Sequence, residues 1–216
     1  MSLKDQLAAL KAENLSRIPA EAQAVMLGDL KKLEESGIVE RAPKVGDRLK
    51  NFTLPNHLGE SRSLSQLLEK GPVVVTFYRG GWCPYCNLEL RAFQQVLPEI
   101  EAAGATLVAI TPELPDESLS TRERDELKFE ILTDKNSDYG RELGVVFTLT
   151  RELVEIYKNF GIEVEKHNGE GQFDLPLPAT FIVNVDGTIT CAFVAVDYTL
   201  RVEPSDVVKE LKKLVH

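Results

Sequence analysis

The stretch "TFYRGGWCPYC", residues 76–86, decides the fold. It ends an apolar, β-branched run, "PVVVTFY", turns on Gly80 and Gly81, and then places Cys83 and Cys86 three apart. Such a run suits a strand buried on both faces. Pro84 suits the first position of a helix, where its missing N–H costs nothing, so Cys83 is expected at the helix N-terminus. Unpaired backbone N–H groups and the helix dipole there favour a negatively charged sulfur, and the thiolate is the reactive form. Cys86 falls one turn on, on the same face and within disulfide reach. One thiol is then activated, and the other is poised to attack a mixed disulfide or sulfenic acid on it. Arg79 reads equally as a cation above the sulfur or as a surface arginine.

Outward from this stretch, strand and helix signals alternate. "NFTLP" before it reads as a short strand, and Ser63 as the cap of the helix in "SLSQLLEK". After it, the Cys83 helix runs to about Ala103, with Pro98 expected to kink or restart it. "ATLVAIT" is a second buried strand, "DESLSTRERDEL" a polar-faced helix, "FEILTD" a strand and "TLTRELVEIYKNFG" a helix ending at Gly161. "EKHNGEGQFD" reads as a polar loop. "ATFIVNVDGTITCAFVAV" reads as two strands around a two-residue turn at Asp186-Gly187, and Pro204 and Ser205 start a last helix. This order implies an α/β layered sheet. The first 42 residues differ: Leu3, Leu7 and Leu10, then Met26, Leu30 and Leu33, recur at helical spacing, with Pro19 at a helix start and Gly37 at a helix end. With no reactive cluster there, this helical extension (1–42) reads as a packing arm or dimer contact ahead of the domain at 43–216.

At 216 residues and 43% hydrophobic, the chain can bury a core without staples. A net charge of −9, with basic residues scattered among acids, argues against nucleic acid or an anionic membrane as partner. No apolar run approaches a membrane span, and the amphipathic N-terminus is not a secretory signal. A cytoplasmic location is the expectation. Three cysteines, Cys83, Cys86 and Cys191, do not make a secreted scaffold. A zinc site wants four ligands, and His57, His167 and His216 lie far apart, so neither metal nor organic cofactor is expected. Cys191, inside a strand, reads as an inert thiol, Arg201 as a surface arginine with a role beside the dithiol as alternative, and Glu113 as a solvated carboxylate. Trp82 abuts Cys83 and should shield its sulfur or frame a docking surface.

"WCPYC" has the dithiol spacing of thioredoxins and the Cys-Pro-Tyr-Cys core of glutaredoxins. Together with "VGDRLKNFTLPNHLGESRSLSQLLEKGPVVVTFY", "LVAITPE", "FEILTDKNSDYGRELGV" and "PATFIVNVDGTI", it resembles the alkyl hydroperoxide reductase and thiol-specific antioxidant group, the peroxiredoxins, over about residues 43–215. The resemblance implies a thioredoxin fold and a thiol peroxidase. Cys83 would attack a peroxide, Cys86 would resolve it to a disulfide, and a thioredoxin-like or glutathione-based donor would restore the dithiol. Backbone N–H groups from Gly80 to Cys83 would bind the peroxide oxygens.

The family's Pro-x-x-x-Thr-x-x-Cys pattern is broken, with Thr76 and Gly80 at the Pro and Thr positions, and Cys86 replaces the usual glutamate of Cys-Pro-Thr-Glu. Pro178 stands where an arginine is common. "LPLPATF" resembles the cis-proline segment of disulfide reductases, which implies a cis bond at Pro178 and makes a disulfide oxidoreductase the main alternative. A non-catalytic binding or chaperone-like module is the third.

Overall fold

A computed structural model describes residues 1–214; His216 lies outside them. The chain begins with helices α1 (Leu3–Arg17), α2 (Ala20–Glu35) and α3 (Ile38–Arg41). Strands β1 (Thr53–Pro55) and β2 (Ser61–Ser63) lead into α4 (Leu64–Leu68), β3 (Val73–Phe77) and α5 (Pro84–Ala102). Next come β4 (Thr106–Thr111), α6 (Pro115–Arg124), β5 (Glu130–Thr133), α7 (Asp138–Glu142), β6 (Val146–Thr148) and α8 (Arg151–Asn159). The chain closes with α9 (Val164–Asn168), β7 (Asp174–Pro176), β8 (Ala179–Val183), β9 (Ile189–Val194) and α10 (Pro204–Leu214).

The central sheet has the order β5-β4-β3-β8-β9. β3, β4 and β5 run parallel, while β8 and β9 are antiparallel to their neighbours. Alternation along β3 divides the core. Val74 and Tyr78 pack with α1, α5 and α10, whereas Val73, Val75 and Phe77 pack on the opposite face. Thr76 shares the α5 face of the sheet, and register sets it opposite Thr180.

Local chemistry explains several element ends. Ser2 and Asp5 form a reciprocal cap on α1, and the hydroxyls of Ser63 and Thr150 accept from Gln66 N and Leu153 N at the starts of α4 and α8. Gly37, at φ +69°, turns the chain between α2 and α3.

Four details differ from the sequence reading. Pro98 sits inside α5, which runs unbroken. "EKHNGEGQFD" is not all loop, because most of α9 and the first residue of β7 fall in it. The β6–β7 pair escapes notice because three-residue strands carry too little alternation. The β8–β9 turn is wider than two residues: Gly187 N bonds to Asn184 O and Asn184 N to Thr188 O, with Gly187 at φ +86° completing a bulged turn.

The N-terminal helices dock on the dithiol side of the sheet. Leu3 and Leu7 enter the core beside α5, and Asn14 donates to the Tyr85 hydroxyl at 3.1 Å. The Glu203 carboxylate accepts from Leu3 N and Lys4 N at the start of α1, a charge the helix N-terminus favours. No described helix is long and apolar enough to cross a membrane.

Candidate active site

β3 delivers the chain to Arg79, two glycines then turn it, and α5 begins at Pro84 with Cys83 as its N-cap residue. Neither glycine has room for a side chain. A Cβ on Gly80, at φ +153°, would lie 2.3 Å from Trp82 Nε1, and one on Gly81 would lie 1.9 Å from Thr121 Oγ1. The Cys83 sulfur makes no capping bond to the helix, contrary to the expectation from its position. Two of the four backbone donors expected to meet a peroxide are also engaged: Gly81 N bonds to Glu113 Oε1 at 2.9 Å, and Cys83 N to Gly80 O at 3.0 Å.

Two arginines supply what the backbone does not. Arg79 is buried and donates through Nη2 to Cys83 Sγ at 3.4 Å and through Nη1 to the Tyr157 hydroxyl at 2.9 Å. Its guanidinium lies 4.4 Å from the Tyr198 ring centroid and 5.1 Å from that of Trp82, contacts that hold a planar cation in place. Arg201, expected at the surface, has a side chain only 1% exposed and donates through Nη2 to Cys86 Sγ at 3.0 Å. Its Nε reaches Glu89 Oε2 at 2.5 Å, and its Nη1 takes the carbonyls of Tyr198 and Leu200. A bond to each of its three nitrogens is what keeps this charge in the interior.

Both sulfurs are fully buried and reduced, and their surroundings split them. Burial opposes ionisation of Cys83, but a hydrogen bond from the Cys86 thiol and the charges of Arg79 and Arg201 outweigh it and hold Cys83 well below the ordinary thiol range. Burial, the hydrogen bond to Cys83 and that sulfur's negative charge push Cys86 well above it. Cys191 is pushed up by its own half-burial, as an inert thiol would be.

Three groups beside the dithiol, two of them buried, were not singled out from the sequence. Glu89 follows Cys86 on the face of α5 that also buries Leu90 and Phe93; a glutamate on that apolar face was the signal available. Burial raises it to about 7 against the pull of Arg201. Its Oε1 accepts from Thr76 at 3.5 Å, and Thr76 pairs with Thr180 at 2.8 Å. Tyr157 and Tyr198 complete the box around Arg79, and they come from α8 and from the segment after β9.

Glu113 is buried rather than solvated. It accepts from Gly81 N and from the Tyr78 hydroxyl. Burial pushes its pKa from 4.5 up to about 8, with Glu117 adding to the rise. The folded protein therefore keeps a proton that the unfolded chain has lost, and stability falls as pH rises between those values. At about 1.4 kcal/mol per pKa unit, the rise from 4.5 to about 8 corresponds to roughly 4–5 kcal/mol near pH 8. Glu113→Gln is expected to raise the urea midpoint above wild type at pH 8, with the difference shrinking toward pH 5. An unchanged pH slope would contradict this. Glu113, Glu117 and His167 also bring three donor atoms within 4.8 Å of one another, but His167 Nδ1 already pairs with Glu117 at 2.8 Å, and neither cysteine takes part.

Trp82 is half-buried and packs edge-on against Tyr157, which makes it part of the site wall rather than an exposed docking face. Pro178, just before β8, has a trans bond and not the expected cis one, since no described peptide bond is cis. Leu177 N bonds to Val145 O and Pro178 O accepts from Ala195 N, which fixes an extended backbone on both sides, and trans is the intrinsic preference of X–Pro bonds.

The sequence model of the AhpC/TSA family matches residues 45–192. The chain belongs to this family. It is 28% identical to the chloroplastic peroxiredoxin Q of Triticum aestivum over 167 residues, covering 71% of this chain and 76% of that one. Among solved structures it resembles the peroxidoxin BcpB of Mycobacterium tuberculosis (TM-score 0.62, 22% identity, 79% of this chain and 97% of that one). It also resembles peroxiredoxin 6 of Arenicola marina (TM-score 0.64, 16% identity, 80% and 73%). This member of the AhpC/TSA family is a peroxiredoxin-like thiol peroxidase, an oxidoreductase that reduces hydroperoxides through cysteine and is recycled by a thioredoxin-like donor. Its departure from the family pattern at Gly80 has a steric cause. The space a threonine side chain would need is filled by the Trp82 indole and the Glu113 carboxyl.

Proposed function

We propose that Cys83 is the peroxide-attacking thiolate and Cys86 the resolving thiol. The observation that carries this is two buried sulfurs, each bonded to a buried guanidinium, whose contact with one another drives their pKa values apart. Cys83 attacks the distal peroxide oxygen. An S–O bond forms, the O–O bond breaks, and the alkoxide or hydroxide leaves and takes a proton, giving a sulfenic acid and an alcohol or water. Arg79 Nε and Trp82 Nε1 are buried donors without an acceptor among the described residues, and they are suited to hold the peroxide oxygens as charge develops.

Oxidation of Cys83 then removes the negative charge that keeps Cys86 protonated, while Arg201 stays 3.0 Å away. Cys86 becomes the better nucleophile at the moment it is needed. It attacks the Cys83 sulfur, the S–S bond forms, and hydroxide leaves with the Cys86 proton as water. A thioredoxin-like or glutathione-based donor supplies two electrons and two protons to reopen the disulfide.

Cys86→Ser treated with one equivalent of hydrogen peroxide is expected to hold Cys83 as a sulfenic acid that dimedone traps, as read by mass spectrometry. Wild type should give only the intramolecular disulfide. A dimedone adduct on Cys86 or Cys191 in wild type, or no oxidation of Cys83, would reject the assignment.

A further inference from the structure

α2 buries none of its residues fully, although Met26, Leu30 and Leu33 face inward. A cavity of about 220 Å³ lies between them and the opposite wall of Phe147, Leu149 and Leu153, and at one side Met26 packs against the cluster to which Leu149 and Leu153 belong. The outer rim carries the exposed Lys32, and the Thr150 hydroxyl bonds across to Asp29, tying α2 to the first turn of α8. The inner end is formed by Arg79, Tyr157, Tyr198 and Pro178. One guanidinium therefore separates this cavity from Cys83, since Arg79 Nη2 is 3.4 Å from the sulfur.

A substrate must reach a sulfur that has no exposed surface, and two cavities end on the arginines beside the dithiol. The other, of about 670 Å³, meets Arg201 and is lined in part by Lys4, Lys11, Glu203 and Asp206. It leads to the wrong thiol, and each nitrogen of its guanidinium is already bonded. The α2 cavity leads to the arginine bonded to Cys83, whose Nε has no acceptor among the described residues.

We infer that α2 forms a wall of the substrate pocket, and that Met26, Leu30 and Leu33 set the size of the organic body a hydroperoxide can carry to Cys83. This rests on the peroxidase reading above. An apolar cavity of about 150 Å³ holds a benzene molecule, and drug-sized ligands occupy about 300 Å³ or more. A volume of about 220 Å³ lies between these limits and fits one aromatic ring with short branches. The occupant is an aromatic or compactly branched hydroperoxide, its –OOH group toward Arg79 and its apolar body against α2. The family match begins at residue 45, so this wall comes from a part of the chain that the match does not bring.

The test compares kcat/KM for cumene hydroperoxide and hydrogen peroxide in wild type, Leu30→Trp, which fills the cavity, and Met26→Ala, which widens it. One methylene in an apolar pocket changes selectivity by about 10–200-fold, so the cumene-to-hydrogen-peroxide ratio should fall at least tenfold in Leu30→Trp. Met26→Ala should raise the ratio for a bulkier diisopropylbenzene monohydroperoxide. Binding of cumyl alcohol, the unreactive product, to Cys83→Ser should be measurable by calorimetry and lost on adding Leu30→Trp.

Equal losses for both peroxides, or a change of oligomeric state with no change in the ratio, would overturn the inference and make α2 a packing or self-association element. Fast peroxide reduction with no cumyl alcohol binding would overturn it while leaving the peroxidase reading intact. Cumyl alcohol binding without fast reduction of any peroxide would instead sink the peroxidase reading, and the hydroperoxide assignment with it.

Discussion

Arg79→Leu is expected to slow the reaction of Cys83 with hydrogen peroxide at pH 7 by about 100- to 1000-fold, the cost of one oxyanion-type donor together with a lost thiolate. Arg79 acts twice on this sulfur, as a charge and as a hydrogen-bond donor, and both hold Cys83 below its ordinary range against the effect of burial. Without it the thiol retains its proton, and each unit of upward shift beyond the working pH removes about tenfold of the thiolate. The rate–pH profile should therefore move to higher pH, with part of the loss recovered in alkaline buffer. Leucine suits the apolar walls of the Tyr198, Trp82 and Tyr157 box, so the fold should persist. Arg79→Lys should restore only part of the rate, because an ammonium keeps the charge but not the planar stacking or the forked donors. A pH profile that does not move would contradict the role given to Arg79.

Arg201→Leu is expected to cost about 3–5 kcal/mol of stability at neutral pH, the range for removing one partner of a buried ion pair. Both side chains of the Arg201–Glu89 pair are 1% exposed, so the carboxylate left behind has no water to turn to. It can escape only by taking up a proton, and without the pull of Arg201 it does so above 7. The loss should therefore shrink as pH falls toward 7 and level off below it. Adding Glu89→Gln should recover much of it, and chemical denaturation of the two single variants and the double variant would read the coupling directly. Additive effects would mean that the pair is incidental and that Arg201 acts only by tying down the carbonyls of Tyr198 and Leu200.

The legible parts of the fold were those written in local pattern. The runs at 73–77 and 106–111, the paired glycines, Pro84, and the capping Ser63 place the sheet and the dithiol without reference to distant residues. What escaped is long-range. Arg201 meets Glu89 across 112 positions and Cys86 across 115, and no spacing rule connects them. Glu113 looked like a solvated carboxylate because nothing local shows that α6 and α9 pack over it; Leu114 N bonding to His167 O is the contact that does so. The α2 cavity was invisible for a related reason. The spacing of Met26, Leu30 and Leu33 gives an apolar face but not what that face meets, and here it borders a cavity, with Met26 packed at its side.

Peroxide chemistry at Cys83 is most directly tested by stopped-flow fluorescence of Trp82, the single tryptophan of the chain, after mixing reduced protein with hydrogen peroxide. Trp82 packs on both Arg79 and Tyr157, so a change at the neighbouring sulfur should reach its emission. The expected result is a peroxide-dependent phase orders of magnitude faster than free cysteine, absent in Cys83→Ser and retained in Cys86→Ser. A rate no faster than that of any low-pKa thiolate, or a fast phase that survives in Cys83→Ser, would contradict the account.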